Sequence, residues 1–429
     1  VARTYIALAV GDIPQAVAYA QQALDHLSET DDIERSQAAS LLALAQWTQG
    51  DLDAAQRSLA NAMAGFRRAG NVHFALSGTY ALADMSIAQG RLREAIDIYQ
   101  DALRLATEHP GGVRGEADLH LGLSELYREQ GAAELAQQHL HKSETLGEQA
   151  ALPDWPYRLR RAKARFAQDR GDLDAAEALL TEAERRYYRT PVPDVRPLAA
   201  LKARVWIAQG RVDKVLAWAR DRGLSIDDDL RYVREFEHIT LARALLAEYG
   251  HTGLEQSLRG AMRLLDRLLH AAEKDGRSGV VIEISLLQAL AYQAQGNLSD
   301  ALTPLTRALT LAEPEGYVRI FVDEGPPMAT LLRAAARAGI APNYVRHVLS
   351  AFETPDARAP IRQDLVEPLS QRELDVLRLL ATGLTGPEIA RELVVSLNTM
   401  RTHTKHIYSK LGVNSRQAAI LRAQELEIL

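Results

Sequence analysis

Eight times along its first three hundred residues the chain places a glycine between two apolar-periodic stretches. Six of these glycines open a shared hexapeptide: Gly11-Asp-Ile-Pro-Gln-Ala16, Gly50-Asp-Leu-Asp-Ala-Ala55, Gly90-Arg-Leu-Arg-Glu-Ala95, Gly131-Ala-Ala-Glu-Leu-Ala136, Gly171-Asp-Leu-Asp-Ala-Ala176 and Gly210-Arg-Val-Asp-Lys-Val215. They step by 39, 40, 41, 40 and 39 residues. Gly250 follows 40 residues later with a degenerate sequel, and Gly296-Asn-Leu-Ser-Asp-Ala301 comes after a longer gap of 46. Glycine takes up the left-handed backbone that ends a helix at no steric cost, and the residues after it start another. One helix pair cannot bury its own apolar face, whereas stacked pairs bury a continuous core. The expected architecture over residues 1–313 is therefore a right-handed α-solenoid, and the chain as a whole is expected to be all-α.

The unit resembles the tetratricopeptide repeat, stretched from a period of about 34 residues to about 40. The small residue at the sixth position (Ala16, Ala55, Ala95, Ala136, Ala176) suits close helix packing beside the turn. Pro153-Asp-Trp155-Pro156 and Thr190-Pro-Val-Pro193 read as longer linkers that account for the extra length. The repeat aromatics Trp47, Tyr80, Tyr99, Trp206 and Trp218 are expected to pack rather than to stack a ligand, because large aromatics dominate cores.

At 429 residues the chain is long enough for two or more domains, and it is 47% apolar and 25% charged, an ordinary globular composition. With no cysteine it holds neither a disulfide nor a thiolate metal site. No apolar run reaches the length of a membrane span and no signal-peptide pattern opens the chain. Residues 369–429 carry eight Lys+Arg and six Asp+Glu, a net +2 that leaves −8 for residues 1–368 of the formal −6. So small a basic excess does not carry DNA binding by field alone, and placement and dimerisation must help. Patterns of nucleophile and base, paired catalytic carboxylates and zinc spacings are absent, which argues against an enzyme. His139 and His141, two apart on a helix, face different sides. Asp227-Asp228-Asp229 reads as a solvated loop.

The tail is built differently. Ser370 with Glu373 forms a capping box and Leu369 with Leu374 a hydrophobic staple, opening a helix to about Thr382 that Gly383 stops. Thr385-Gly-Pro387-Glu388 is a second capping box, with proline in the first helical turn where it does no harm. A third helix runs from the N-cap Ser396 to Gly412, and a fourth starts near Ser415. Short helices joined by a turn of three or four residues make a helix-turn-helix. In the third helix Met400, Ile407 and Leu411 recur at helical spacing and should face inward. Asn398, Arg401, Thr402, Lys405, Tyr408 and Ser409 then fall outside, a basic hydrogen-bonding face of the kind the DNA major groove admits.

Residues 369–419 closely resemble the DNA-binding domain of LuxR-type bacterial transcription regulators. The matching positions include Leu369-Ser370, Arg372-Glu373, Val376-Leu377, Gly383, Glu388-Ile389-Ala390, Thr399, His403, Lys410-Leu411 and Arg416. The resemblance implies that Arg401, Thr402 and Lys405 reach base edges, and that Thr385, Ser396, Thr399, His403, Tyr408 and Lys410 lie at phosphates. The chain departs from the family at Gly386-Pro387, where Asn-Lys is common, so one phosphate-contacting lysine is missing. Met400 stands where valine is usual, a tolerable exchange in a core. Gly316-Tyr317-Val-Arg319 and Phe321-Val-Asp323-Glu324-Gly325 resemble a signature of the large, MalT-type members of that family, in which this stretch closes the repeat domain.

The expected organisation is a repeat solenoid (1–313), closing helices (314–352), a linker (353–368) and a four-helix LuxR-type helix-turn-helix (369–429). The resemblance implies a cytoplasmic bacterial transcription regulator, an activator, that binds double-stranded DNA as a homodimer or higher oligomer. It further implies a small-molecule inducer or regulatory protein at the solenoid, and contact with RNA polymerase. No phosphate-binding Gly-x-x-x-x-Gly-Lys loop is present, so the chain itself takes no cofactor. ATP enters only through an upstream nucleotide-binding domain, which the resemblance places before Val1. The alternative reading is a protein–protein scaffold in which the DNA-binding head is auxiliary.

Overall fold

The computed structural model describes residues 1–108, 113–187, 192–352, 371–382, 384–393, 395, 399–400, 403–404, 407, 416 and 419. The chain divides into two compact units, Val1–Ala359 and Pro360–Leu429. Every regular element among the described residues is helical.

The first unit is a series of helical hairpins. In order they are α1 (Ala2–Val10) with α2 (Ile13–His26), α3 (Asp32–Gln49) with α4 (Leu52–Arg68), and α5 and α6 (Val72–Ser77, Thr79–Ala88) with α7 (Leu92–Thr107). Then come α8 (Glu116–Glu129) with α9 (Ala133–Leu146), α10 (Trp155–Asp169) with α11 (Leu173–Arg185), and α12 (Leu198–Ala208) with α13 (Val212–Asp221). The last two hairpins are α14 (Glu235–Thr252) with α15 (Glu255–Lys274) and α16 (Ser278–Ala294) with α17 (Leu298–Ala312). Three short helices close the unit: α18 (Arg319–Val322), α19 (Gly325–Arg337) and α20 (Pro342–Ala351).

The hairpin turns follow from two adjacent residues. Gly50, at φ +90°, ends α3, and its successor Asp51 accepts from the Ala54 amide to cap α4. Asp12, Asp172 and Asn297 cap α2, α11 and α17 in the same way, each directly after a left-handed glycine. Thus one glycine closes a helix and the next side chain opens another. The sixth-position alanines Ala16, Ala55, Ala95, Ala136 and Ala176 are all fully or almost fully buried beside these turns. Trp47, Tyr99 and Trp218 are buried as well, while Tyr80 and Trp206 are half-buried.

Three details differ from the sequence reading. The seventh turn belongs to Gly253 (φ +70°), because Gly250 lies inside α14. With Gly253 as the marker, the last three turn glycines stand 43 residues apart. Trp155-Pro156 is not linker but the first turn of α10, where the buried Trp155 indole donates to Ser143 Oγ at 3.0 Å. Asp228 is not simply solvated either: its carboxylate meets Nε2 of the buried His238 at 3.0 Å.

The solenoid also packs against itself five hairpins further on. A Cβ added to Gly50 would stand 3.0 Å from Tyr232 Cβ, one on Gly90 3.0 Å from the Gly279 nitrogen, and one on Gly131 3.0 Å from Val318 Cγ1. Conversely, a Cβ on Gly279 would press to 2.2 Å of the Ile87 carbonyl oxygen. Hydrogen bonds follow the same seam. Trp47 Nε1 donates to Tyr232 OH at 3.0 Å, and the Val318 amide donates to the Glu129 carbonyl at 2.9 Å. The Ile320 amide donates to Glu129 Oε1 at 2.8 Å. Beneath it runs one apolar core in which Leu92, Leu119 and Leu123 share a cluster with Ile282, Leu305, Phe321 and Leu332.

Ion pairs accompany this closure, one across the seam from Arg128 to Asp323 and others between neighbouring hairpins and the closing segment. The Arg128 guanidinium reaches Asp169 on α10 at 2.5 Å and Asp323 in the closing segment at 2.8 Å. Arg243 bridges Glu283 (2.9 Å) and Glu324 (2.6 Å), and Arg204 joins Glu283 at 2.7 Å.

Candidate nucleic-acid interface

In the second unit α21 (Gln371–Leu380) and α22 (Gly386–Glu392) are joined by a turn. Val376, Leu377 and Leu380 from the first, Ile389 and Ala390 from the second, and Met400, Ile407 and Ala419 beyond them are buried in one cluster. Residues 399–400, 403–404 and 407 are helical. Met400 and Ile407 lie inward as their spacing required, and Thr404 donates to the Met400 carbonyl at 3.0 Å. Thr399 is exposed and His403 half-buried.

The turn between α21 and α22 is held from a distance. Arg416 Nε donates to the Leu380 carbonyl at 2.9 Å, Nη1 to that of Leu384 at 2.7 Å, and Nη2 to that of Thr382 at 2.5 Å. A cation at a helix C-terminus meets carbonyls that have no intrahelical partner and the negative end of the macrodipole. One guanidinium thereby meets the last carbonyl of α21, at Leu380, and two more in the turn that follows, at Thr382 and Leu384. Sequence reading picked out Arg416 only as a matching position; its partners lie 32 to 36 residues back, beyond any local pattern.

Thr385 caps α22 in a complete capping box with Glu388. Its amide and its hydroxyl both donate to Glu388 Oε2, at 2.7 and 2.6 Å, which holds that carboxyl below its ordinary range. A phosphate approaching Thr385 has to displace this carboxylate. The other residues expected at DNA, Arg401, Thr402 and Lys405 at bases and Ser396, Tyr408 and Lys410 at phosphates, lie outside the described residues. So do Ser370 of the first capping box, the linker 353–368 and the fourth helix beyond Arg416 and Ala419.

With this geometry in view, comparison with known proteins decides the family. Residues 1–338 match the model of the MalT-like TPR region. The chain belongs to that family. Residues 367–423 of this MalT-like chain match a second model, bacterial regulatory proteins, luxR family. The HTH-type transcriptional regulator MalT of Serratia proteamaculans (strain 568) is 26% identical over 461 residues, a match covering 99% of this chain and 49% of that protein. The chain thus spans about half the length of this curated relative. This chain therefore joins a MalT-like TPR region to a luxR-family helix-turn-helix. No helix among the described residues is long and apolar enough to cross a membrane.

Proposed function

We propose that this chain is the sensing and DNA-binding part of a transcription regulator, an activator that assembles on promoter DNA when an inducer or a regulatory protein engages the solenoid. One observation carries the reading: a MalT-like repeat region and a luxR-type helix-turn-helix share a single chain. On this reading Arg401, Thr402 and Lys405 reach base edges. Thr399, His403, Tyr408, Ser396 and Lys410 sit nearer phosphates, with Thr385 the weakest of the set because Glu388 already holds it. A bidentate arginine contact in the major groove discriminates a base pair by about 1–3 kcal/mol, whereas a phosphate contact adds affinity without sequence information. Two heads related by a twofold axis would read half-sites about one helical turn apart.

Selection of bound duplexes from a random-sequence pool tests this. The intact chain is expected to enrich a two-half-site motif. A variant with Arg401→Glu and Lys405→Glu is expected to lose the enrichment. Salt-sensitive binding without any motif, or enrichment that survives the double substitution, would defeat the assignment. The first of these outcomes would favour a scaffold whose head is auxiliary.

A further inference from the structure

Two of the three histidines on the fourth hairpin face each other, and the proposed function uses neither. His120 on α8 and His139 on α9 place their Nδ1 atoms 2.8 Å apart, with ring centroids 5.0 Å apart and the planes tilted by 37°. The Tyr127 ring backs His139 at 5.3 Å, and Gln100 fixes the Tyr127 hydroxyl by donating to it at 2.9 Å. Both imidazoles are half-buried, so one side of the pair stays open to solvent. Burial first, then His139 and Lys142, lowers His120 to about 4, and burial lowers His139 as well.

We propose that His120 and His139 form a two-imidazole site for a divalent transition-metal ion of the Zn2+, Ni2+ or Cu2+ class, bound through both Nδ1 atoms. Imidazole suits these ions, and the chain offers no thiolate to compete. Two nitrogens on one tetrahedral ion, each about 2.0 Å from it, stand about 3.3 Å apart. The half-buried rings need to part by about half an ångström from their hydrogen-bonded separation, and to turn so that both Nδ1 lone pairs converge on an ion beside the line that joins them. The Nδ1 proton that the pair shares moves to Nε2 of the same ring, so both lone pairs turn to the ion and no proton is lost. No third His, Asp or Glu completes a cluster among the described residues, so water fills the remaining positions. Lys142, exposed and one turn after His139, swings away from the incoming charge. The ion would tie α8 to α9 within the hairpin whose Glu129 holds the closing segment.

The test is titration of the untagged, chelator-treated full chain with Zn2+ and Ni2+ by calorimetry, beside His120→Gln, His139→Gln and the exposed control His141→Gln. Altering groups behind a metal ligand costs 10–100-fold in affinity, so losing a ligand itself should cost about tenfold or more. His120→Gln and His139→Gln should each show that loss, with helical circular dichroism unchanged, while His141→Gln matches the wild type. Electron paramagnetic resonance of the Cu2+-loaded wild type should show two coordinated imidazole nitrogens, and each variant one. No binding by the wild type, or binding indifferent to His120→Gln and His139→Gln, overturns the site.

Discussion

Glu283 shows how much a single residue holds here. It accepts from Arg204 of α12 at 2.7 Å and from Arg243 of α14 at 2.9 Å, with only 16% of its side chain accessible. Burial alone would raise its carboxyl, but the two guanidiniums overcome that and hold it near pKa 2, from an ordinary 4.5. A carboxyl depressed on folding contributes stability that is complete above the unfolded value and fades as pH falls from 4.5 towards 2. Glu283→Gln is expected to cost about 2–3 kcal/mol at neutral pH, because the largely buried Arg204 loses its carboxylate while Arg243 keeps Glu324. Its urea midpoint should also fall less than that of the wild type between pH 4.5 and pH 3. Equal slopes for the two proteins would show that the pair does not persist in solution. Nothing local marks this residue. It lies in Val280-Val-Ile-Glu283-Ile-Ser-Leu-Leu287, which reads as an ordinary apolar helix, and its partners are 40 and 79 residues away.

At the scale of elements the sequence is a better guide, because turns and caps are local chemistry. The Gly50-Asp51 pair announces both a left-handed stop and an N-cap, and both form. Gly250 does not mark the turn because α14 runs on through it to Thr252, and the left-handed glycine that ends the helix is Gly253. Trp155-Pro156 misled because proline serves a linker and a first helical turn equally well, and only burial of the indole against Ser143 decides between them. In the second unit Met400 and Ile407 could be placed inward from their spacing alone. The Arg416 clamp could not, yet it holds the end of α21 and the turn that leads to α22. Hydrogen bonds to a charged group contribute about 1.5–3 kcal/mol each, and three carbonyls depend on this one side chain. Arg416→Ala should therefore destabilise the helix-turn-helix by at least about 2 kcal/mol and speed amide exchange across 371–393, leaving exchange in α8 and α16 unchanged. Unaltered exchange in α21 and α22 would mean that apolar packing alone sets their angle.

For the whole molecule, the repeat period dictates a solenoid but not how tightly it winds. An open repeat array contacts only nearest neighbours, so its stability is nearly a sum over repeats and their adjacent interfaces. Here the turns at Gly50, Gly90 and Gly131 each receive a segment from five hairpins later, and Arg128 ties α8 to Asp323 across the same seam. These contacts join residues about two hundred positions apart, and no repeat signature encodes them. A glycine required for a left-handed turn looks the same in sequence whether or not a neighbour also presses on it. The consequence is coupling between the second hairpin and the approach to the seventh. Trp47 Nε1 donates to Tyr232 OH at 3.0 Å, an interaction that phenylalanine at either position deletes. A double-mutant cycle of Trp47→Phe and Tyr232→Phe should return an interaction energy of about 0.5–1.5 kcal/mol in urea unfolding, the net value of one such hydrogen bond. Changes of volume at either site cancel in the cycle, so only their mutual contact remains. A cycle that closes at zero would mean that the seam stands open in solution. The hairpins would then unfold as an array of neighbours, with separate transitions for the two ends. A coupling in the expected range makes Val1–Ala359 one cooperative body, in which a ligand that strains any hairpin along the seam is felt five hairpins away.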